Sequence, residues 1–411
     1  MDSTILIVPL AAVVAPLLAA IVRRVLVVPL IVFEIGLGML VGPDGLGWVA
    51  NTELLDMLSN LGLAMLFFMA GNEIDPASMK GRVGSRALGG WFVSAAIAVA
   101  GAAILADSFQ AAVIIAIALT GTALGTITPI LRDAGLNRGP LGNAISAAGA
   151  VGEFAPLVAI SVFLSGRQPI AGALTLLLFL GVAAIAFLVA ERGQRRWLQR
   201  MVSVTLHTSG QFAVRFVICL LAALVALALA LGIDFLLGAF TAGMLAKVVL
   251  RDGDPDEERV IEAKLESIAF GFFVPVFFVT TGISFPLSTL LEQPRTLSLV
   301  PLIALLMLLV RGVPGFFAPA RGASLSDRRT SALFTATTLP LVIAIAKIGT
   351  HSGAISEQLA AALVGGGMLS VLLFPMLALL GRDAGTHDPR DGNDEVKRPA
   401  GPQELPMGAH E

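Results

Sequence analysis

Apolar positions in this chain neither alternate nor fall on a single helical stripe. They run on for roughly 17 to 25 residues at a time, the length a helix needs to cross a hydrocarbon core about 30 Å thick. Such runs lie near 4–22, 25–42, 54–74, 84–106, 109–131, 139–165 and 169–190 and, after a polar gap, near 211–231, 234–250, 265–286, 298–320, 328–350 and 356–381. The pattern predicts an all-α polytopic membrane protein with thirteen transmembrane helices, helices 1 to 13 in chain order. Residues 382–411, with "THDPRDGNDEVKRPAGPQELP", are polar and proline-rich and predict a disordered tail too short to be a regulatory nucleotide-binding domain.

The polar connections add an orientation. Basic residues gather in every second connection: Arg23 and Arg24; Lys80, Arg82 and Arg86; Arg132 and Arg138; Arg192, Arg195, Arg196 and Arg200; Lys247, Arg251, Arg259 and Lys264; Arg321, Arg328 and Arg329. The opposite connections hold Arg167 and Arg295. The positive-inside rule then predicts a multi-pass cell-membrane protein with its N-terminus outside and its C-terminus cytoplasmic. The first run, "MDSTILIVPLAAVVAPLLAAIVRR", has an acidic flank before it and arginines after it, the reverse of a signal peptide, so it is expected to be retained.

Composition agrees with the pattern and removes whole classes of function. The chain of 411 residues is 56% hydrophobic and 14% charged, more apolar surface than a soluble protein of this size can hide. Its one cysteine, Cys219, sits in an apolar run and excludes an internal disulfide. The four histidines are scattered, and neither a phosphate-binding loop nor a nucleophile with a nearby base can be found. An enzyme, a primary pump, a bound cofactor and a nucleic-acid partner are therefore not expected.

The two halves echo each other at a spacing of about 210 residues. "EIGLGML" in helix 2 matches "AFTAGML" in helix 9, "LFFMAGNEI" in helix 3 matches "VFFVTTGIS" in helix 10, and "TGTALGTITP" in helix 5 faces "TATTLP" in helix 12. Six helices (about 4–165), one linking helix (about 169–190) and six more (about 211–381) would set the second half upside down on the first, the inverted-repeat plan of secondary transporters.

Candidate chemistry follows from that plan. Thr120, Thr122 and Pro129 in helix 5, and Thr337 and Pro340 in helix 12, predict two helices interrupted at matching places, where hydroxyls and freed carbonyls line a midplane site. Glu153, in "GAVGEFAP", stands about 21 Å into helix 6 with no other charge from 143 to 165. An ionisable group at that depth costs several kcal/mol. Such a carboxylate gains from holding a proton or a small cation in turn. Arg311 lies at mid-depth in helix 11 and keeps its charge, so it needs a carboxylate, Glu153 or Glu34, or several carbonyls. Glu34 in helix 2 reads equally as an ion-path carboxylate or a structural partner. Glu73 reads as a solvated helix end, and Arg215, Lys247 and Lys347 as snorkelling side chains.

These residues resemble the bacterial monovalent cation:proton antiporters of the sodium/proton exchanger superfamily. "VPLIVFEIGLGMLVGPDGLGWV" is similar to the family's second-helix signature, "LAMLFFMAGNEID" to its helix 3, "LLGAFTAGMLA" to its "GAF-x-AG" helix and "FFVPVFFVTTGI" to its "P-x-FF-x-x-G" helix. The resemblance spans about residues 4–381. It implies a homodimer with two crossed, unwound helices beside the ion-binding acid, a position that falls on Glu153. Family members carry an aspartate, asparagine or glutamine just before that acid, where this chain has Gly152. The resemblance therefore implies exchange of Na+ or K+ for H+ at one carboxylate, which is electroneutral, with Gly152 leaving room for water or a larger ion. Arg311 falls on the family's basic position, which pairs with the acid or supports the core. A cation-coupled carrier of a small organic solute, or a non-transporting receptor or scaffold, are the other functions this fold allows.

Overall fold

A computed structural model describes residues 4–22, 28–74, 79, 81–164, 169–192, 211–251, 255–292 and 294–380. The tail expected over 382–411 lies outside the described residues, as do Arg23, Arg24, Lys80, Arg167, Arg195, Arg196 and Arg200. Every regular element among the described residues is helical. The helices are α1 (Thr4–Val22), α2 (Leu30–Val41), α3 (Glu53–Asn72), α4 (Arg82–Leu105), α5a (Phe109–Leu119), α5b (Leu124–Asp133), α6 (Gly139–Phe163) and α7 (Pro169–Arg192). They continue with α8 (Phe212–Ala230), α9 (Phe235–Arg251), α10 (255–283), α11 (Pro294–Phe316), α12a (Leu325–Ala336), α12b (Pro340–His351) and α13 (Glu357–Leu379). With each interrupted helix counted as one, ten of the described helices are long and apolar enough to cross a membrane; Leu6–Val22, Leu30–Val41 and Phe235–Leu250 are shorter apolar helices.

Local sequence accounts for many of the ends. The hydroxyls of Thr52, Ser108 and Ser324 accept from the amides of Leu55, Ala111 and Asp327 and so start α3, α5a and α12a. Gly135, at φ 69°, takes the left-handed turn after α5b that other residues resist. One boundary departs from the apolar run: α10 begins at Pro255, not near 265. Its first turns, "PDEERVIEAKLESI", are amphipathic, burying Ile261 and Leu265 while carrying charge elsewhere, so no continuous apolar run marks them. Both α10 and α11 contain a π turn, at Ala269–Phe273 and Leu308–Gly312.

Two helix pairs approach closely enough to exclude side chains. In α2 and α10, a methyl group on Gly38 would lie 2.1 Å from the Val279 carbonyl oxygen, and one on Gly282 would lie 2.1 Å from that of Ile35. In α9 and α3, a methyl group on Gly243 would lie 1.9 Å from the Phe68 carbonyl oxygen, and one on Gly71 would lie 2.1 Å from that of Phe240. Ile35 and Gly38 correspond to Phe240 and Gly243 in the two related motifs, whereas Phe68 and Gly71 correspond to Phe278 and Thr281, one position before Val279 and Gly282. The two contacts thus share their positions on α2 and α9 and differ by one residue on α3 and α10. Phe67, Phe68, Phe240 and Phe278 fill the interior beside them.

Candidate functional site

Helices 5 and 12 are both interrupted, and the interruptions meet. Residues 121–123 and 337–339 leave the helical path, and the Ala123 amide donates to the Thr337 carbonyl at 3.0 Å across the gap. Gly121 permits the approach, because a methyl group there would come within 2.9 Å of the Thr338 hydroxyl oxygen. Pro340 opens α12b directly after its interruption. Pro129 falls inside α5b, six residues past the last non-helical position, and so is not at the break expected for it. What holds the α5 interruption open comes from another helix.

That helix is α6. Gly149 and Gly152, one turn apart, present a bare face to the interruption, and the Gly152 carbonyl accepts from the Thr122 amide at 3.0 Å. Glu153 follows, buried, with Oε2 accepting from the Leu124 amide at 3.0 Å. Leu124 is the first residue of α5b, so the carboxylate caps the exposed amides and the positive dipole end of a half-helix. A helix that starts in mid-bundle needs such a partner, and a buried carboxylate needs such donors.

Arg311 sits in the π turn of α11 and is 3% exposed. Its Nε donates to the Thr122 hydroxyl at 2.9 Å, Nη2 to the Ala148 carbonyl at 2.9 Å and Nη1 to the Ser94 hydroxyl at 3.3 Å. Among the described residues no ion pair joins it to Glu153 or Glu34; its three partners are neutral oxygens. The Thr122 hydroxyl passes the connection on by donating to the Thr335 carbonyl. The space beside Gly152 is not free for water or a larger ion, as the missing side chain suggested: a methyl group there would lie 2.4 Å from Nη2 of Arg311 and 2.7 Å from the Thr122 hydroxyl oxygen.

The other expected residues divide. Thr120 and Thr337 are buried in the crossing, but their hydroxyls donate to Ile117 and Leu333 within their own helices, at 2.8 and 3.0 Å. The hydroxyl oxygens of Thr126 and Thr338 are buried with no hydrogen-bond partner. Glu34 is buried on α2, which packs chiefly on α10 and α1. Among the described residues no hydrogen bond or ion pair ties it to the crossing. Lys347 pairs with Asp56 at 3.5 Å, and Lys247 with Glu258 at 3.1 Å and with Glu262.

Three participants escaped sequence reasoning. Ser94 and Ser370 are ordinary hydroxyls in apolar helices, yet Ser94 accepts from Arg311, and Ser370 both accepts from the Thr338 amide at 3.1 Å and donates to its carbonyl at 2.8 Å. Glu73 is not a solvated helix end. It is half-buried: one of its carboxylate oxygens is buried, without a hydrogen-bond partner among the described residues, and the Thr128 hydroxyl lies beside it. Its burial depends on α5b packing over the end of α3, a contact between segments some fifty residues apart that no local pattern marks. A cavity of about 950 Å³, lined by Asp56, Asp234, Thr280, Lys347 and Glu357 among others, opens at the end of the bundle where α3 begins and α12b ends; none of its lining residues belongs to the interruptions.

A family model described as "Sodium/hydrogen exchanger, transmembrane" matches residues 10–379. The chain belongs to the sodium/hydrogen exchanger family. It is 29% identical over 364 residues to the putative Na(+)/H(+) antiporter YjbQ of Bacillus subtilis, covering 83% of this chain and 57% of that relative. It is 25% identical to the Na(+)/H(+)-K(+) antiporter GerN of Bacillus cereus, covering 84% of this chain and 88% of GerN. The chain therefore spans little more than half the length of the first relative and most of the second. Its fold is similar to that of the sodium proton antiporter MjNhaP1 from Methanocaldococcus jannaschii, with a TM-score of 0.62 over 92% of this chain and 97% of the other at 17% identity. The family is one of monovalent cation:proton antiporters, which are transporters and not enzymes.

Proposed function

We propose that this chain is a secondary active antiporter that exchanges Na+ or K+ for H+, with Glu153 as the carboxylate that holds the cation and the proton in turn. The observation that carries the reading is the setting of Glu153: buried at the crossing, held by backbone amide at the start of α5b and, among the described residues, paired with no base. A carboxylate paired with a fixed cation would have its charge met permanently. This one is left to be neutralised by whatever small cation or proton arrives. The unpartnered hydroxyls of Thr126 and Thr338 are oxygens the cation can use, with the carbonyls at the two interruptions. The names of the relatives, antiporters of sodium and in one case potassium, support the same cargo.

The finer architecture belongs to this proposal. Thirteen spans in two inverted six-helix repeats are supported by two glycine contacts that use matching positions of α2 and α9 against positions one residue out of register on α3 and α10. With the N-terminus outside and the C-terminus cytoplasmic, the large cavity is an outer vestibule and Glu73 faces the cytoplasmic approach. The site crosses the membrane by alternating access, two copies form the dimer, and one proton against one cation at Glu153 moves no net charge. The protein needs no cofactor.

The test is exchange in liposomes. Protein reconstituted with a pH-sensitive dye should collapse a proton gradient on addition of sodium or potassium, at a rate unchanged when the membrane potential is clamped at zero. Silence in sodium, potassium and lithium would sink the antiporter reading. Full exchange by the Glu153→Gln variant would sink the assignment of Glu153.

A further inference from the structure

We propose that Gly152 and Arg311 form one working unit, in which the guanidinium occupies the place of the side chain that position 152 lacks and positions the α5 interruption against Glu153. The inference rests on the reading of Glu153 as the binding carboxylate and goes beyond it, because it assigns a positioning role to a pair that shares no charge interaction with Glu153.

Three observations converge. A single carbon added to Gly152 would lie 2.4 Å from Nη2 of Arg311 and 2.7 Å from the Thr122 hydroxyl oxygen, so the guanidinium and Thr122 would both have to shift to admit it. The same guanidinium spends its fork on three separate elements: α6 through the Ala148 carbonyl, the α5 interruption through Thr122 and α4 through Ser94. Its own carbonyl lies 3.3 Å from the Thr335 hydroxyl, which donates to it from α12a. Thr122, gripped through its side chain by Arg311 and through its amide by Gly152, stands two residues before the Leu124 amide that holds Glu153. Arg311 thus acts on the carboxylate through the backbone of residues 122–124 and not by pairing with it. A planar fork is suited to this, since it holds several acceptors in fixed directions where an ammonium group would not. The guanidinium and Thr122 fill the place beside Gly152, so a second protein ligand enters there only if they move, and the cation shell is completed from α5b and the α12 interruption.

The inference predicts strong non-additivity, which a pair of independent structural residues would not give. In liposomes, Gly152→Ala should raise the apparent KM for the cation more than fivefold with the arginine present. The same change in an Arg311→Lys background should raise it less than half as much, because lysine has no Nη2 to displace and only the contact with Thr122 remains. The melting temperature of the purified protein should show the same coupling: the alanine lowers it more beside arginine than beside lysine. If the lysine variant does not fold, Arg311→Gln serves, being shorter and lacking the outer fork. Equal effects of Gly152→Ala in both backgrounds, or no effect beside arginine, would overturn the unit. So would a loss of maximal rate with KM unchanged. A failure of the antiporter reading is distinct: no variant and no wild type would exchange, whereas the melting cycle would still report the contact.

Discussion

The two interruptions meet at one point but are held by different chemistry. The break in α5 is bound by ionisable groups: Glu153 takes its Leu124 amide, and Arg311 takes its Thr122 hydroxyl. The break in α12 is bound by neutral ones: Ser370 of α13 closes on the amide and carbonyl of Thr338, and the Thr335 hydroxyl folds back on its own helix through the Ser331 carbonyl at 2.8 Å. One half of the crossing can therefore change its charge state while the other gives a fixed frame. Repeated sequence motifs supplied both breaks, and different neighbours divided the labour.

The sharpest way to break this comparison is to remove charge from the ionisable side. Glu153→Gln keeps an oxygen that can accept from the Leu124 amide but cannot exchange a proton for a cation. Exchange should fall to the level of empty liposomes while the protein still folds. A fold that collapsed with glutamine would mean that the charge at Glu153 serves structure. Thr122→Val comes next. It removes the acceptor of Arg311 Nε inside a buried network, a loss of about 1–3 kcal/mol for a group left unsatisfied. An apparent cation KM raised about tenfold or more is expected, read from the same dye assay. On the neutral side, Ser370→Ala should cost about 1–2 kcal/mol of stability in thermal unfolding yet leave the cation KM within twofold. A KM shift as large as that of Thr122→Val would erase the distinction between the two breaks.

Much of this was legible in the chain because a bilayer makes sequence literal. Apolar runs mark helices, and a glutamate without an apolar reason, as in "GAVGEFAP", marks chemistry. What the chain did not disclose is who answers whom. Pro129 looked like the cause of the α5 break and lies six residues beyond it, since the break is stabilised by Glu153 capping α5b from α6. Gly152 looked like a vacancy and is the seat of a guanidinium from a helix 159 positions later, 311 less 152. Glu73 looked solvated because nothing near it in sequence covers it. In each case the deciding contact joins distant segments, and the residue type alone is compatible with two environments.

The finest distinction concerns the two ends of the bundle. At one end Asp56 of α3 pairs with Lys347 of α12b at 3.5 Å; at the other Glu266 of α10 pairs with Arg132 of α5b at 3.5 Å. Asp56 and Glu266 are separated by 210 positions, 266 less 56, the same spacing that relates Phe67 to Phe277. In the proposed inverted repeat, α3 against α12b at one face is the image of α10 against α5b at the other. Each pair ties a crossing helix to a helix of the glycine-packed set, so movement of the crossing that tightens one loosens the other. All four side chains are about half exposed or a little less, which limits each pair to under about 1 kcal/mol. That is enough to bias a balanced two-state cycle by a factor of a few and too little to unfold anything. Asp56→Asn should therefore lower the cation KM measured from the vestibule side severalfold and raise it from the other. Glu266→Gln should do the reverse, and the double variant should return to the wild-type asymmetry. Vesicles of defined sidedness supply the measurement, and single variants that shift KM in the same direction would show that these pairs only decorate the surface.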